Sequence, residues 1–414
     1  MSESGARTAT PQPVALVVGG VASSLLEFRG ALLDEMVGRG WRVVAAAPEA
    51  EPETVAALTR RGISFVPLPL ARSGMNPFAD LATLRTLLAL MRRLKPDIFF
   101  GYTIKAAAYG LIAARLGRVP RRVVMITGVG YALTDGIGAR RWLARLVTTT
   151  ILRLSLPFAH LAIFQNPDDL ELFVRRRLIR PEWTAQVSGS GVDLARFAPV
   201  PSPVPPITFL MIARLLVDKG LHEYAEAARL VKRTHPEARF VLVGPVDPSP
   251  AAVKQSVIEG WVREGLIEFR GELRDVRPEI AACHVYVLPS YREGMPRTVL
   301  EAMAMGRPII TTDVPGCRDA VVDALNGLLV PARDAPALAG ACRRMIDDPE
   351  FMRRAGARSL EICRQRFDAE LVAQATFALI AGASVERARV RTATEQGPQA
   401  SAGPLATMAQ EVLG

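Results

Sequence analysis

Short apolar runs alternate with longer stretches of helical period along nearly the whole chain. Val14–Val18 (VALVV) precedes a helical pattern from Leu25 to Val37. Arg42–Ala47 (RVVAAA), Asp97–Phe100 (DIFF), Arg122–Ile126 (RVVMI) and His160–Phe164 (HLAIF) follow, each flanked by segments of helix period. Continuous apolar strands separated by helices predict βα units and a parallel sheet covered on both faces. The pattern stops at Ala198–Pro206 (APVPSPVPP), where five prolines in nine residues bar a helix or an inner strand and predict a semi-rigid connector. It restarts with Ile207–Ile212 (ITFLMI), a helix through Val231, Arg239–Gly244 (RFVLVG) and a helix through Arg263. Leu266–Gly271 (LIEFRG), His284–Ser290 (HVYVLPS), a helix after Pro296 and Pro308–Ile310 (PII) complete it. The expectation is an α/β protein of two similar domains, 13–198 and 207–387, joined by residues 199–206, with the last helix able to cross back to the first domain. The segments 1–12 and 388–414 lack periodicity and are expected to be mobile tails.

A length of 414 residues agrees with two cores rather than one. Cys283, Cys317, Cys342 and Cys363 form no CxxC pair, and the four histidines show no ligand spacing, which argues against a disulfide framework or a zinc site. The most apolar window, Leu146–Phe164, is broken by Arg153, Pro157 and His160, so it reads as a helix and a buried strand rather than a bilayer span. No signal peptide is evident before Val14. The net charge of +10 sits entirely in residues 1–200, which hold 25 Lys and Arg against 15 Asp and Glu. That surplus fits a solvated basic surface equally with contacts to anionic headgroups, a phosphorylated acceptor or nucleic acid; no stacking-aromatic motif accompanies it to favour nucleic acid.

Candidate chemistry concentrates in Tyr291–Pro308 (YREGMPRTVLEAMAMGRP). This segment follows a buried strand, and ligands of open α/β sheets bind at the carboxyl ends of strands. Gly294 and Pro296 place Glu293 in the loop and Glu301 inside the next helix, facing the same crevice. The N–H groups of Arg297, Thr298 and Val299 are then free donors for a phosphate at a helix N-terminus. A carboxylate one turn deeper can accept from a pair of hydroxyls. Asp168 and Asp169 read as the first turn of a helix capped by Asn166. Gly19 and Gly20 end the first strand; they suit either close approach to a phosphate or a plain tight turn.

Glu293 and Glu301 reproduce the E-x7-E spacing of retaining family-4 glycosyltransferases, and Glu293–Ile310 (EGMPRTVLEAMAMGRPII) resembles that family's donor-site segment. Ile212–Gly220 (IARLLVDKG) places Arg214 and Lys219 as in the family's diphosphate-binding pair, and Ser188–Leu194 (SGSGVDL) resembles the turn before the interdomain linker. Phe99–Leu116 and Met125–Thr134 resemble first-domain loops of the branch that builds capsular polysaccharide and O-antigen repeat units.

The resemblance implies a GT-B fold of two Rossmann-like domains facing across a cleft, acceptor on the first and nucleotide sugar, UDP-linked, on the second. It implies Arg214 and Lys219 at the diphosphate, with no metal ion or cofactor. Glu301 is placed at the ribose hydroxyls and Glu293 at the donor sugar, whose other contacts are Gly294, Met295 and Pro296. Gly271, Glu272 and Leu273 stand at the base, with Gly244 among the donor-side contacts. Gly19 and Gly20 approach the donor from the first domain. Read from the residues themselves, Lys105 suits an acceptor phosphate or the donor diphosphate, as against a solvated lysine, and Thr127, Gly128 and Gly130 suit the acceptor side or a plain turn of the chain. Many family members carry a histidine in the loop that here reads GYTIKAA, so the role of that histidine does not transfer. The implied reaction is retaining transfer of a hexose or N-acetylhexosamine to a polyprenyl-diphosphate-linked sugar, at the cytoplasmic face of the inner membrane. The basic first domain would then touch anionic lipid, with no nucleic-acid partner. Rival readings are a transferase with a soluble acceptor, a UDP-sugar 2-epimerase-like enzyme, and a basic lipid- or nucleic-acid-binding protein.

Overall fold

In the computed structural model, residues 12–70, 77–129, 139–247, 249 and 251–382 are described. Two parallel sheets account for both halves. The first contains β1 (Val14–Val18), β2 (Arg42–Ala47), β3 (Ser64–Pro67), β4 (Ile98–Tyr102), β5 (Arg121–Ile126), β6 (Leu161–Phe164) and β7 (Thr184–Gln186), in the order β3-β2-β1-β4-β5-β6-β7. The second contains β8 (Thr208–Ile212), β9 (Arg239–Val243), β10 (Glu268–Phe269), β11 (Val285–Leu288), β12 (Ile309–Thr312) and β13 (Gly327–Val330), in the order β10-β9-β8-β11-β12-β13.

Each inner strand is apolar on both faces because helices cover both. In β1, Leu16 and Val18 join one core with Phe99, Val124 and Phe164, while Ala15 and Val17 join the opposite core with Phe100, Val123 and Ile163. The second half has one continuous core around Phe209, Phe240, Tyr286 and Met303, in which the Tyr224 hydroxyl donates toward the Phe209 and Val241 carbonyls at 3.0 Å each. Buried Arg307 donates to the carbonyls of Ile280, Ala281 and Pro201, tying the connector to the second half.

The last helix among the described residues, Ala369–Ala381, follows the second half in sequence but packs on the first. Its Leu379 and Ile380 enter a core of the first sheet, Phe377 meets Trp41 edge to face, and Arg121 donates to its Leu379 carbonyl at 2.8 Å. Two sequence expectations need correction. The helix read from Leu25 to Val37 is two helices, Ser23–Glu27 and Gly30–Gly38, because Arg29 leaves the helical region (φ −124°, ψ 0°) and turns inward. The run Leu266–Gly271 contributes only Glu268–Phe269 to the sheet.

Candidate functional site

Strand order reverses between β1 and β4 in the first sheet and between β8 and β11 in the second. Such switch points open a crevice beyond the strand ends. The segments that carry the candidate residues leave the sheets there.

After β8, Arg214 is half-exposed and pairs with Asp247 at 2.9 Å. A single turn, Val217–Lys219, then ends at Gly220 with φ +76°. A Cβ at Gly220 would lie 2.2 Å from the Pro289 carbonyl, so only glycine lets this turn lie against the segment leaving β11. That approach sets Lys219 Nζ 2.5 Å from Glu293 Oε1. Ser290, fully buried, donates to the same oxygen at 2.8 Å. Burial alone would lower the Lys219 ammonium, but the attraction and hydrogen bond of Glu293, with Asp218 behind them, outweigh it and hold the group charged. The Glu293 main chain is fixed too: its N–H donates to the Pro315 carbonyl at 3.0 Å, and Gly316 lies against its carbonyl.

The helix Arg297–Ala304 begins at Pro296, which offers no side-chain cap. The N–H groups of Arg297 and Thr298 have no acceptor among the described residues. Val299 differs from expectation: its N–H donates to the Pro296 carbonyl at 3.1 Å, since the first turn is tightened to an i→i+3 bond. The Thr298 hydroxyl accepts from Tyr286 at 2.6 Å. Glu301 is buried, with Arg297 Nε 2.9 Å from its carboxylate. Burial raises its carboxyl above the ordinary value, and the Arg297 and Arg196 charges offset only part of that rise. Gly244 and Gly271 meet at the ends of β9 and β10, where the Gly244 N–H donates to the Gly271 carbonyl at 2.8 Å; Glu272 beyond them is exposed and Leu273 packs on the core.

On the first sheet, Gly19 and Gly20 lie against Tyr102 and Thr103 at the end of β4. The buried Tyr102 hydroxyl is 2.8 Å from Ser24 Oγ. Arg29 stacks on the Tyr102 ring at 4.9 Å and donates to Ser190 at 3.0 Å; burial pushes its guanidinium down to about 10. Lys105 pairs with Asp80 at 2.9 Å. Thr127 and Gly128 meet the second half: a Cβ on Gly294 would lie 2.1 Å from the Thr127 carbonyl oxygen. Gly130 lies outside the described residues.

The structure therefore brings Lys219 and Glu293 into contact and buries Glu301 on the adjoining helix, with Gly294 facing Thr127 across the cleft. Arg214 and Lys105 each pair with an acid elsewhere. Sequence reasoning missed the contacts that cross between the halves. Asn166 caps the helix Pro167–Arg175, as expected, but its Nδ2 also donates to the Gly294 carbonyl at 2.7 Å. Asp169, fully buried, is bonded by Arg292. Arg297 reaches back to the Glu27 carbonyl and stacks on Phe28 at 4.9 Å. The only sequence signal was the NPDD run itself, which a helix start explains without any partner.

A family model described as glycosyl transferase 4-like domain matches residues 27–190, and one described as glycosyl transferases group 1 matches residues 206–348. The chain is 28% identical over 369 residues to the N,N'-diacetylbacillosaminyl-diphospho-undecaprenol alpha-1,3-N-acetylgalactosaminyltransferase of Campylobacter jejuni, covering 85% of this chain and 94% of the relative. It is 27% identical over 300 residues to the UDP-Gal:alpha-D-GlcNAc-diphosphoundecaprenol alpha-1,3-galactosyltransferase of Escherichia coli, covering 69% and 74%. Among solved structures, the sucrose-phosphate synthase of Thermosynechococcus elongatus superposes with a TM-score of 0.74 at 21% identity, over 89% of this chain and 98% of that one. HepE of Anabaena, in complex with UDP, gives 0.69 at 19%, over 89% and 99%. Those two likenesses establish the GT-B arrangement of the sheets, and the family models cover one half each. The chain belongs to the group 1, family-4-like glycosyltransferases.

Proposed function

We propose that this glycosyltransferase moves a hexose or N-acetylhexosamine from a UDP-sugar to a polyprenyl-diphosphate-linked sugar, with retention and without a metal ion, in bacterial surface-polysaccharide or glycan assembly. The observation that carries the reading is the Lys219–Glu293 contact at the second switch point, beside the N-terminus of the helix that holds Glu301. Lys219 and the Arg297 and Thr298 N–H groups supply positive charge for a leaving diphosphate, which in this reading replaces a divalent ion. Arg214 would exchange Asp247 for the same diphosphate, its planar fork suiting two oxygens. Glu301 has acceptor capacity for a ribose diol, Glu293 for sugar hydroxyls, and Gly271–Leu273 for the base. We take residues 13–198 as the acceptor half and 207–387 as the donor half. The two undecaprenol-linked activities named above support the choice of acceptor.

Contact with an anionic inner-membrane surface at its cytoplasmic face belongs to the same reading. No helix among the described residues is long and apolar enough to cross a membrane. The helix Ala139–Ser155 instead exposes Trp142 (65%), Leu143, Leu146 and Leu154 (63%) on the side away from buried Leu152, in the half that carries the whole positive surplus. An apolar stripe beside arginines suits shallow insertion among acidic headgroups.

The test is sugar transfer in EDTA, with UDP-galactose or UDP-N-acetylgalactosamine and an undecaprenyl-diphosphate-linked N-acetylglucosamine. A thermal-shift panel of UDP, GDP and ADP accompanies it. A ligand at about 100 times its dissociation constant adds about 2.7 kcal/mol to the state it binds. Stabilisation by UDP alone is expected, and Lys219→Ala or Glu301→Ala should abolish transfer with the fold intact. No shift with any nucleotide would overturn the donor site.

A further inference from the structure

The loop Tyr291–Met295, which presents Glu293, is gripped from both halves. The second half supplies Lys219 and Ser290 to the Glu293 carboxylate and Pro315 to its N–H. The first half supplies the residues on either side. Asn166 Nδ2 donates to the Gly294 carbonyl at 2.7 Å and to Asp169 Oδ2 at 3.1 Å; Arg292 donates to Asp169 Oδ1. Thr127 and Gly128 close against the Gly294 backbone.

Asp169 is the informative member. Its side chain is 1% exposed, whereas Arg292 is 25% exposed. A carboxylate is buried only where charge and hydrogen bonds compensate its lost hydration. Its own half offers the start of a helix and Asn166; among the described residues, the cation paired with it, Arg292, belongs to the other half. In the closed arrangement burial raises the Asp169 carboxyl and the Arg292 charge offsets part of that rise. Separating the halves would break this pair together with the Asn166–Gly294 bond, and closure restores both. Because Arg292 and Gly294 flank Glu293, the same contacts fix where that carboxylate stands.

We propose that Asn166 and Asp169 form a latch across the cleft: positioning residues through which the acceptor half sets the Arg292–Gly294 loop, so that Glu293 takes its working place only when the two halves are closed. The chemical role given to Glu293 rests on the proposed function; the latch itself rests on the contacts.

Two measurements test it. In steady-state transfer, Asp169→Asn keeps the shape and removes the charge. Its turnover number should fall at least about thirtyfold, while UDP affinity, read by calorimetry, changes less than about threefold, since Lys219, Arg214, Glu301 and Gly271–Leu273, the contacts proposed for the nucleotide, lie on the other half. Asn166→Ala and Arg292→Ala should behave alike, and Arg292→Lys should recover part of the loss. A residue that merely supports the fold would lower affinity, melting temperature and turnover together. Either that parallel loss or wild-type turnover in Asp169→Asn overturns the latch. In small-angle X-ray scattering without ligand, Asp169→Asn and Arg292→Ala should have a larger radius of gyration than the wild type; identical profiles overturn it. If the wild-type protein neither binds UDP nor transfers sugar, the donor reading fails, and scattering still decides the latch.

Discussion

Gly294→Ala is expected to part the two halves while disturbing neither. Gly294 does not occupy the left-handed region, so its own backbone accepts a side chain. The cleft does not. An added Cβ would lie 2.1 Å from the Thr127 carbonyl oxygen and 3.3 Å from Gly128 Cα, both main-chain atoms that cannot rotate away. Ordinary contact begins at 3.4 Å, so the two chains must separate by the difference, about 1.3 Å. That movement stretches the Asn166–Gly294 bond from 2.7 Å to about 4 Å and breaks it. One lost hydrogen bond costs about 1 kcal/mol of stability, a fall in Tm of about 2–4 °C. The effect on turnover is larger, because misplacing catalytic groups by about 1 Å costs about 100-fold, or about 2.7 kcal/mol of transition-state stabilisation. The assay pairs initial rates of transfer with thermal unfolding of the same preparation. Wild-type rates in Gly294→Ala would show that the halves do not touch here during turnover, and the account of the closed cleft would be wrong.

Glu301 links donor binding to pH. Burial raises its carboxyl above the ordinary value, so folding favours the proton more than the unfolded chain does, and stability from that preference is lost as pH rises through the raised value. In the proposed donor site the ribose hydroxyls would donate to the ionised form, so UDP affinity should fall about tenfold per pH unit below the raised value and level off above it. Glu301→Gln should bind weakly with no such dependence, yet melt no lower than the wild type at neutral pH; a parallel pH slope in both proteins would remove Glu301 from the ribose. For the proposed membrane contact, Trp142→Ser with Leu146→Ser withdraws two exposed side chains whose burial would be worth about 1.5–3 kcal/mol each. Binding to phosphatidylglycerol vesicles should weaken at least tenfold, and undiminished sedimentation with those vesicles would exclude this helix as the inserted face.

The inner strands were legible because parallel strands covered on both faces have apolar centres: β1, β4, β6 and β11 are apolar almost throughout, β2, β5 and β9 carry arginine only at their starts, and β8 and β12 add threonine at an end. The edges were not. β3, β7 and β13 each end a sheet and escaped notice, and β10, the fourth edge, was read too long. An edge strand is relieved of covering on one side, so Ser64 and Pro67 in β3 and Gln186 in β7 stay in contact with solvent and dilute the apolar signal. The break at Arg29 was hidden for a different reason. Local period favours one helix, and the turn is imposed by tertiary contacts of its guanidinium with Tyr102 and Ser190.

In the site, legibility follows sequence distance. Glu293, Gly294 and Glu301 share one strand–loop–helix unit, and Lys219 sits in the matching unit after β8, so spacing and turn residues expose them. Asp169 and Arg292 are 123 residues apart, and each has a sufficient local explanation: an acid in a first helical turn, a base beside a loop. A pattern that local physics already explains gives no reason to look for a partner. What distinguishes Asp169 from its neighbour Asp168 is burial, which no periodicity of the helix Pro167–Arg175 announces. The charge partner of Asp169, Arg292, comes from the second half. Contacts of this kind are made by closing the cleft, so they carry information about the working arrangement of the halves that neither half's sequence contains alone.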